Sequence, residues 1–124
     1  MSDPQLVLEI LSRIEEASNR VMRRFSKVDS ADVFLESEEG LEKLDAICMQ
    51  LIAIGESLKN LDKVTQGKLL PKYPQVEWKG AMGIRDIITH HYFDLDAEAV
   101  YDACKQDIPC LRKTIASMKS DLLT

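Results

Sequence analysis

The stretch IRDIITHHYF, residues 84–93, contains Arg85, Tyr92 and both histidines of the chain, His90 and His91. A guanidinium is a planar, permanently charged fork that can grip phosphate oxygens at two points. An imidazole titrates near neutral pH, so it can accept a proton and later return it. Together these groups suffice for metal-free cleavage of an RNA backbone. A base takes the proton of a ribose 2′-OH, the oxygen attacks the adjacent phosphorus, a cation holds the crowded phosphorane, and an acid protonates the departing 5′-oxygen. The structural alternative uses the same residues otherwise. The histidines would be polar wedges between helices, Tyr92 an interface aromatic, and Arg85 the partner of a nearby acid such as Asp86 or Glu56.

Spacing constrains which of these groups can act together. A helix turns about 100° per residue, so Arg85 and Tyr92, seven residues apart, share a face if the helix persists. Arg85 and His90 are five residues apart and about 140° out of line. They cannot meet on one face unless the helix ends or bends near Thr89 or His90, and the Asp94–Leu95–Asp96 sequence just beyond predicts such an end. Tyr92 has a phenol, ordinarily of pKa near 10, too high for an efficient base at neutral pH, although it can position a substrate by hydrogen bonding. Two neighbouring histidines point in different directions on a helix, and the sequence has no C-x-x-C or H-x-x-x-H pattern. The expectation is a site without metal or cofactor.

The elements that must carry these residues read as helices throughout. Asp3 is placed as an N-cap with Pro4 at the first helical position, and Val7, Leu11, Ile14, Ser18, Val21 and Phe25 then recur at helical spacing to about Lys27. Ser30 is expected to cap a short turn. Ser37 opens a long helix with Leu41, Leu44, Ile47, Cys48, Leu51, Ile54, Gly55, Leu58 and Leu61 on its buried face. Gly55 in mid-helix costs about 1 kcal/mol relative to alanine, which predicts that something packs close to it. Gly67, Pro71 and Pro74 break the chain. A third helix starts near Val76 or Glu77 and carries Trp78, Ala81, Ile84, Ile87 and Ile88. Another begins after an N-cap at Asp94 or Asp96, and Pro109 predicts a kink or a fresh first turn capped by Asp107. No alternating strand pattern or hairpin signal occurs. The predicted fold is a single all-α domain over residues 1–124, an antiparallel up-and-down bundle of four to five helices.

The bulk properties bound the function. The 124 residues carry a net charge of −5, which is unusual for a nucleic-acid binder. The charge is unevenly placed, however. Residues 59–91 hold six basic side chains against three acidic ones, a +3 strip on an acidic body. Three cysteines, Cys48, Cys104 and Cys110, lie in apolar helical contexts and read as reduced thiols. The N-terminus lacks a basic start followed by an apolar stretch, and no apolar run approaches a membrane span. The expected setting is the cytoplasm, with no membrane partner.

Arg85-Asp-Ile-Ile-Thr-His90-His-Tyr92 matches R-x-x-x-x-H-x-Y, and the chain resembles the HEPN superfamily, in particular the HepT-like toxins. The likeness extends roughly from Leu41 to Leu111 and includes IAIGESLKNL (residues 52–61), Trp78, and HHYFDLDAEAVYDACKQDIPCL after the motif. The resemblance implies a small helical bundle that forms a homodimer, with the motifs of two protomers facing one cleft. Arg85 of one subunit would then work with His90 of the other. It implies a metal-independent endoribonuclease with Arg85 and His90 catalytic. It also implies a minimal nucleotidyltransferase antitoxin that attaches AMP to Tyr92. Asp86 is the polar residue that usually follows the arginine. Glu56 and His91 are candidates for supporting roles. Other HEPN domains act as non-catalytic modules that partner a nucleotidyltransferase, and the acidic body favours that alternative.

Overall fold

Local chemistry at the helix ends accounts for the element boundaries. The Asp3 carboxylate accepts the Gln5 backbone N–H at 3.0 Å, with Pro4 at the first helical position. Ser37 Oγ accepts the Gly40 N–H at 3.0 Å. Asp96, rather than Asp94, accepts the N–H groups of Glu98 and Ala99 at 3.0 and 3.4 Å. Each satisfies donors that the first helical turn leaves free. The computed structural model describes residues 3–124, and its α-helices are α1 (Pro4–Phe25), α2 (Glu38–Val64), α3 (Trp78–His90), α4 (Ala97–Asp102) and α5 (Ile108–Leu123). They form an antiparallel up-and-down bundle, with no strand among the described residues.

The helices pack as α3 on α2, α2 on α1, and α1 on α5. Links Lys119–Glu15 (2.8 Å) and Arg112–Asn19 (3.2 Å) pin α5 antiparallel to α1. The core is continuous and includes fully buried Ile14, Phe34, Ile47, Leu58, Leu61 and Ile115. Cys48 and Cys104 lie within it and Cys110 is half-buried. Burial pushes the Cys48 thiol up to about 11 and that of Cys104 up to about 12, so both stay protonated near neutrality. No described helix is long and apolar enough to cross a membrane.

The α2 helix ends as its sequence predicts. The Thr65 hydroxyl donates back to the Leu61 carbonyl at 2.8 Å, and Gly67, at φ +71°, donates its N–H to the Asp62 carbonyl at 2.8 Å. The chain then takes one 3₁₀ turn at Leu70–Lys72 and enters α3 at Trp78.

Three sequence expectations need correction. Ser30 has extended backbone but makes no side-chain cap bond to the 3₁₀ turn Ala31–Phe34. Leu41, expected on the buried face of α2, is 37% exposed, because helical period locates a face without locating its edges. At the end of the α1 face, as its spacing predicts, Phe25 is half-buried against the core, with the Tyr101 ring at 5.1 Å. Asp107 does not cap a fresh helix. Helices α4 and α5 instead join through a π-helical turn, Ala103–Asp107, with αR backbone at both edges. A proline in a regular helix clashes with the carbonyl four residues back, and the wider π turn moves that carbonyl away from Pro109.

Candidate active site

Helix α2 sets out the site. Asp45 and Glu56 are eleven residues apart, which returns them to nearly the same side of the helix, about 16 Å apart along its axis. Helix α3 runs antiparallel across this side, and Gly55 lets it come close. A β-carbon at Gly55 would lie 3.2 Å from Arg85 Cβ and 3.3 and 3.4 Å from the carbonyl oxygens of Met82 and Ala81. The missing side chain is therefore what seats the Arg85 turn against α2. Gly55→Val is expected to lower stability by about 1–3 kcal/mol by overpacking this seam. Gly55→Ala should cost less, because a helix-propensity gain of about 1 kcal/mol opposes the tight contact. Denaturant titration of both variants checks the difference.

Arg85 sits in a chain of alternating charges. Its Nη1 donates to Asp86 Oδ1 at 3.1 Å, and Asp86 Oδ2 accepts from Lys59 Nζ at 3.2 Å. Arg85 Nε lies 2.7 Å from Glu56 Oε1. That N–H is shielded from solvent and is not aimed along a good hydrogen bond, so Glu56 acts on Arg85 chiefly through charge. The Asp86 hydrogen bond and the Glu56 charge both hold the guanidinium above its ordinary value. Hydrogen bonds from Arg85 and Lys59 hold Asp86 below the usual carboxylate range. Thr89 Oγ1 donates to the Arg85 carbonyl at 2.9 Å, tying the last turn of α3 to its middle. The side chains of Arg85, Glu56, Asp86 and Lys59 all remain 40–55% exposed, so a ligand can reach the array.

The histidines are not part of it. His90 is the last residue of α3, and His91 leaves the helix with its N–H still bonded to the Ile87 carbonyl at 3.1 Å. Both are exposed, and neither imidazole has a hydrogen-bond or ion-pair partner among the described residues. The helix ends where the spacing predicts, yet no bond joins Arg85 to His90 within the chain.

Tyr92 lies beyond the helix, in a 3₁₀ turn Tyr92–Asp94, so the shared-face reasoning from Arg85 does not extend to it. Its hydroxyl donates instead to Asp45 Oδ1, on the α2 side that also carries Glu56. That hydrogen bond pushes the phenol up to about 12. Sequence reasoning missed Asp45 altogether, and placed Lys59 only within a basic strip. The available signal was the eleven-residue recurrence of acids at Asp45 and Glu56 on one side of α2. Phe93, edge-on to Tyr92 at 5.9 Å between ring centres, is 99% exposed.

Trp78 packs against the core and donates Nε1–H to the Tyr73 carbonyl at 2.8 Å, in keeping with a packing role. Gly80 and Gly83 have open space where a β-carbon would stand, so no other part of the chain packs close against them. Among the described residues, no group of three or more metal-ligating side chains comes together.

Comparisons with known proteins converge on one family. The family described as "Ribonuclease HepT-like" matches residues 7–118. "Putative RNase MJ0127" of Methanocaldococcus jannaschii is 36% identical over 77 residues, covering 62% of this chain and 60% of that protein. From the same organism, "Gamma-glutamylcyclotransferase and putative RNase MJ0434" is 29% identical over 116 residues, 94% of this chain and 46% of the relative. "Probable ribonuclease HepT" of Thermococcus cleftensis is 33% identical over 67 residues, covering 54% and 57%. The matches thus span between 46% and 60% of these relatives' own lengths. No solved structure gives a significant match.

Proposed function

The chain belongs to the ribonuclease HepT-like family, and on that premise we propose that it is a metal-independent endoribonuclease toxin acting as a homodimer. The observation that carries this reading is the intact Arg85–His90–Tyr92 set within the matched region, with Arg85 and His90 on α3 and Tyr92 in the exposed turn just beyond it. In the proposed reaction Arg85 grips the scissile phosphate and stabilises the charge of the phosphorane. A phosphate must draw Arg85 from Glu56 and Asp86 to do so, and Lys59 remains to hold Asp86. His90 exchanges protons with the ribose 2′-OH or the departing 5′-oxygen. Because Arg85 and His90 do not meet within one chain, the working pair is formed between two copies. Exposed Phe93 offers a face on which an unpaired base can stack.

A minimal nucleotidyltransferase antitoxin silences the enzyme by attaching AMP to Tyr92. The anchor points of Tyr92 and Arg85 on α2 are about 16 Å apart, so the added nucleotide blocks the approach to the site more than it occupies Arg85 itself. The second reading is a non-catalytic module partnering the nucleotidyltransferase. The pairing of Arg85 with two carboxylates in the free chain favours it.

One experiment separates the two. RNA incubated with the purified chain in EDTA is expected to be cut, leaving 2′,3′-cyclic phosphate and 5′-hydroxyl ends. Products with 3′-hydroxyl ends, or cleavage that vanishes in chelator, would exclude 2′-OH attack without metal. RNA left whole both with and without chelator selects the binding module.

A further inference from the structure

We propose that Asp45 is the proton acceptor for nucleotide transfer to Tyr92, so that this chain supplies the base that activates its own acceptor hydroxyl. The inference rests on the reading of Tyr92 as the site of AMP attachment. The geometry behind it is direct. The Tyr92 hydroxyl donates to Asp45 Oδ1, and the Asp45 carboxylate has no other hydrogen-bond or ion-pair partner among the described residues. Tyr92 is 43% exposed and Asp45 is also exposed, so a large nucleotide donor can reach the phenol without unfolding anything.

A phenol that donates to a carboxylate is a weak nucleophile at rest, because the contact favours its protonated form. The same contact gives the proton somewhere to go when the oxygen attacks. In the step, the Tyr92 oxygen forms a bond to the α-phosphorus of ATP while the O–H bond breaks toward Asp45 Oδ1. The bond from the α-phosphorus to the bridging oxygen breaks, and pyrophosphate leaves with its magnesium. Asp45 then gives the proton to water. Placing a carboxylate against the acceptor hydroxyl is a common solution in phosphoryl transfer.

The other tyrosines bound the claim. Tyr101 donates to a backbone carbonyl, that of Asp29, at 2.9 Å and has no carboxylate. Tyr73 donates to Asp121 at 2.5 Å, so a carboxylate alone does not choose the acceptor. What differs is position: Tyr73 lies in the loop before α3, and Tyr92 lies at the exposed end of the motif helix. Asp45 is thus the activating group, and docking of the transferase makes the choice.

The test uses the full chain as substrate for a minimal nucleotidyltransferase, with ATP and magnesium, and follows AMP incorporation by mass. Asp45→Asn keeps a polar group of the same shape beside the phenol and removes the base. Its turnover is expected to fall about 10²–10⁴-fold, the usual range for loss of a general base. The apparent KM for the protein substrate should stay unchanged. Asp45→Glu should recover part of the rate. Replacing Tyr92 with a fluorinated tyrosine, whose phenol is more acidic, should recover part of the Asp45→Asn loss, which a purely structural role would not do. Wild-type turnover in Asp45→Asn, a change in KM alone, or no gain from the fluorinated phenol overturns the assignment. Absence of AMP on the wild-type chain overturns the antitoxin reading itself, and the role of Asp45 with it.

Discussion

His90→Ala is expected to lower RNA cleavage by about 10²–10⁴-fold, the range for removal of a positioned general acid or base. The folded state should barely register the change. His90 is exposed and ends α3, and its imidazole has no bonded partner among the described residues. Surface substitutions of this kind usually shift stability by less than about 0.5 kcal/mol. His91→Ala, one residue on and equally exposed, should retain most activity. Initial rates on a defined RNA, beside thermal unfolding of each variant, check both statements. If His91→Ala is the inactive variant and His90→Ala the active one, the two imidazoles exchange roles.

Arg85→Ala should be comparably damaging, by about 10²–10³-fold, since it removes a fixed cation from developing phosphorane charge. Arg85→Lys should restore little, because an ammonium cannot reproduce the two-point grip of a guanidinium. This variant also supplies the test of the shared site. If Arg85 of one subunit works with His90 of the other, a heterodimer of Arg85→Ala and His90→Ala chains contains one intact pair and one doubly defective pair. Random exchange of equal amounts should then return about a quarter of wild-type activity, from two chains that are separately inactive. Proven exchange without recovery would mean that each protomer carries a complete site.

The parts of this molecule legible in the sequence are those decided within a few residues. Asp3, Ser37 and Asp96 announce helix starts because a cap bonds to backbone two or three positions away. Gly55 announced a close contact because glycine in mid-helix needs a reason, and the partner is Arg85. Features decided across the fold were hidden or mistaken. Asp45 and Tyr92 are 47 residues apart, and nothing local marks the carboxylate as different from its acidic neighbours. Pro109 argued for a kink or a fresh first turn, but its effect depended on whether the preceding turn could widen, and it did. Leu41 and Ile87 fit the apolar period yet face outward, since coverage depends on where neighbouring helices lie.

The placement of α3 has a consequence for how the protein opens. Of its thirteen residues only Ile88 is fully buried, and its main packing partner is α2. A helix held along one seam can detach while α1, α2 and α5 stay folded, so its free energy of opening lies below that of global unfolding. Amide hydrogens of α3 should therefore exchange with solvent through a local event that α1 and α2 do not share. The segment that carries Arg85 and His90 is then the least protected long helix of the bundle. Whatever docks on its outer side gains the task of holding it down, which couples occupancy of that side to the rigidity of the Arg85 and His90 side chains.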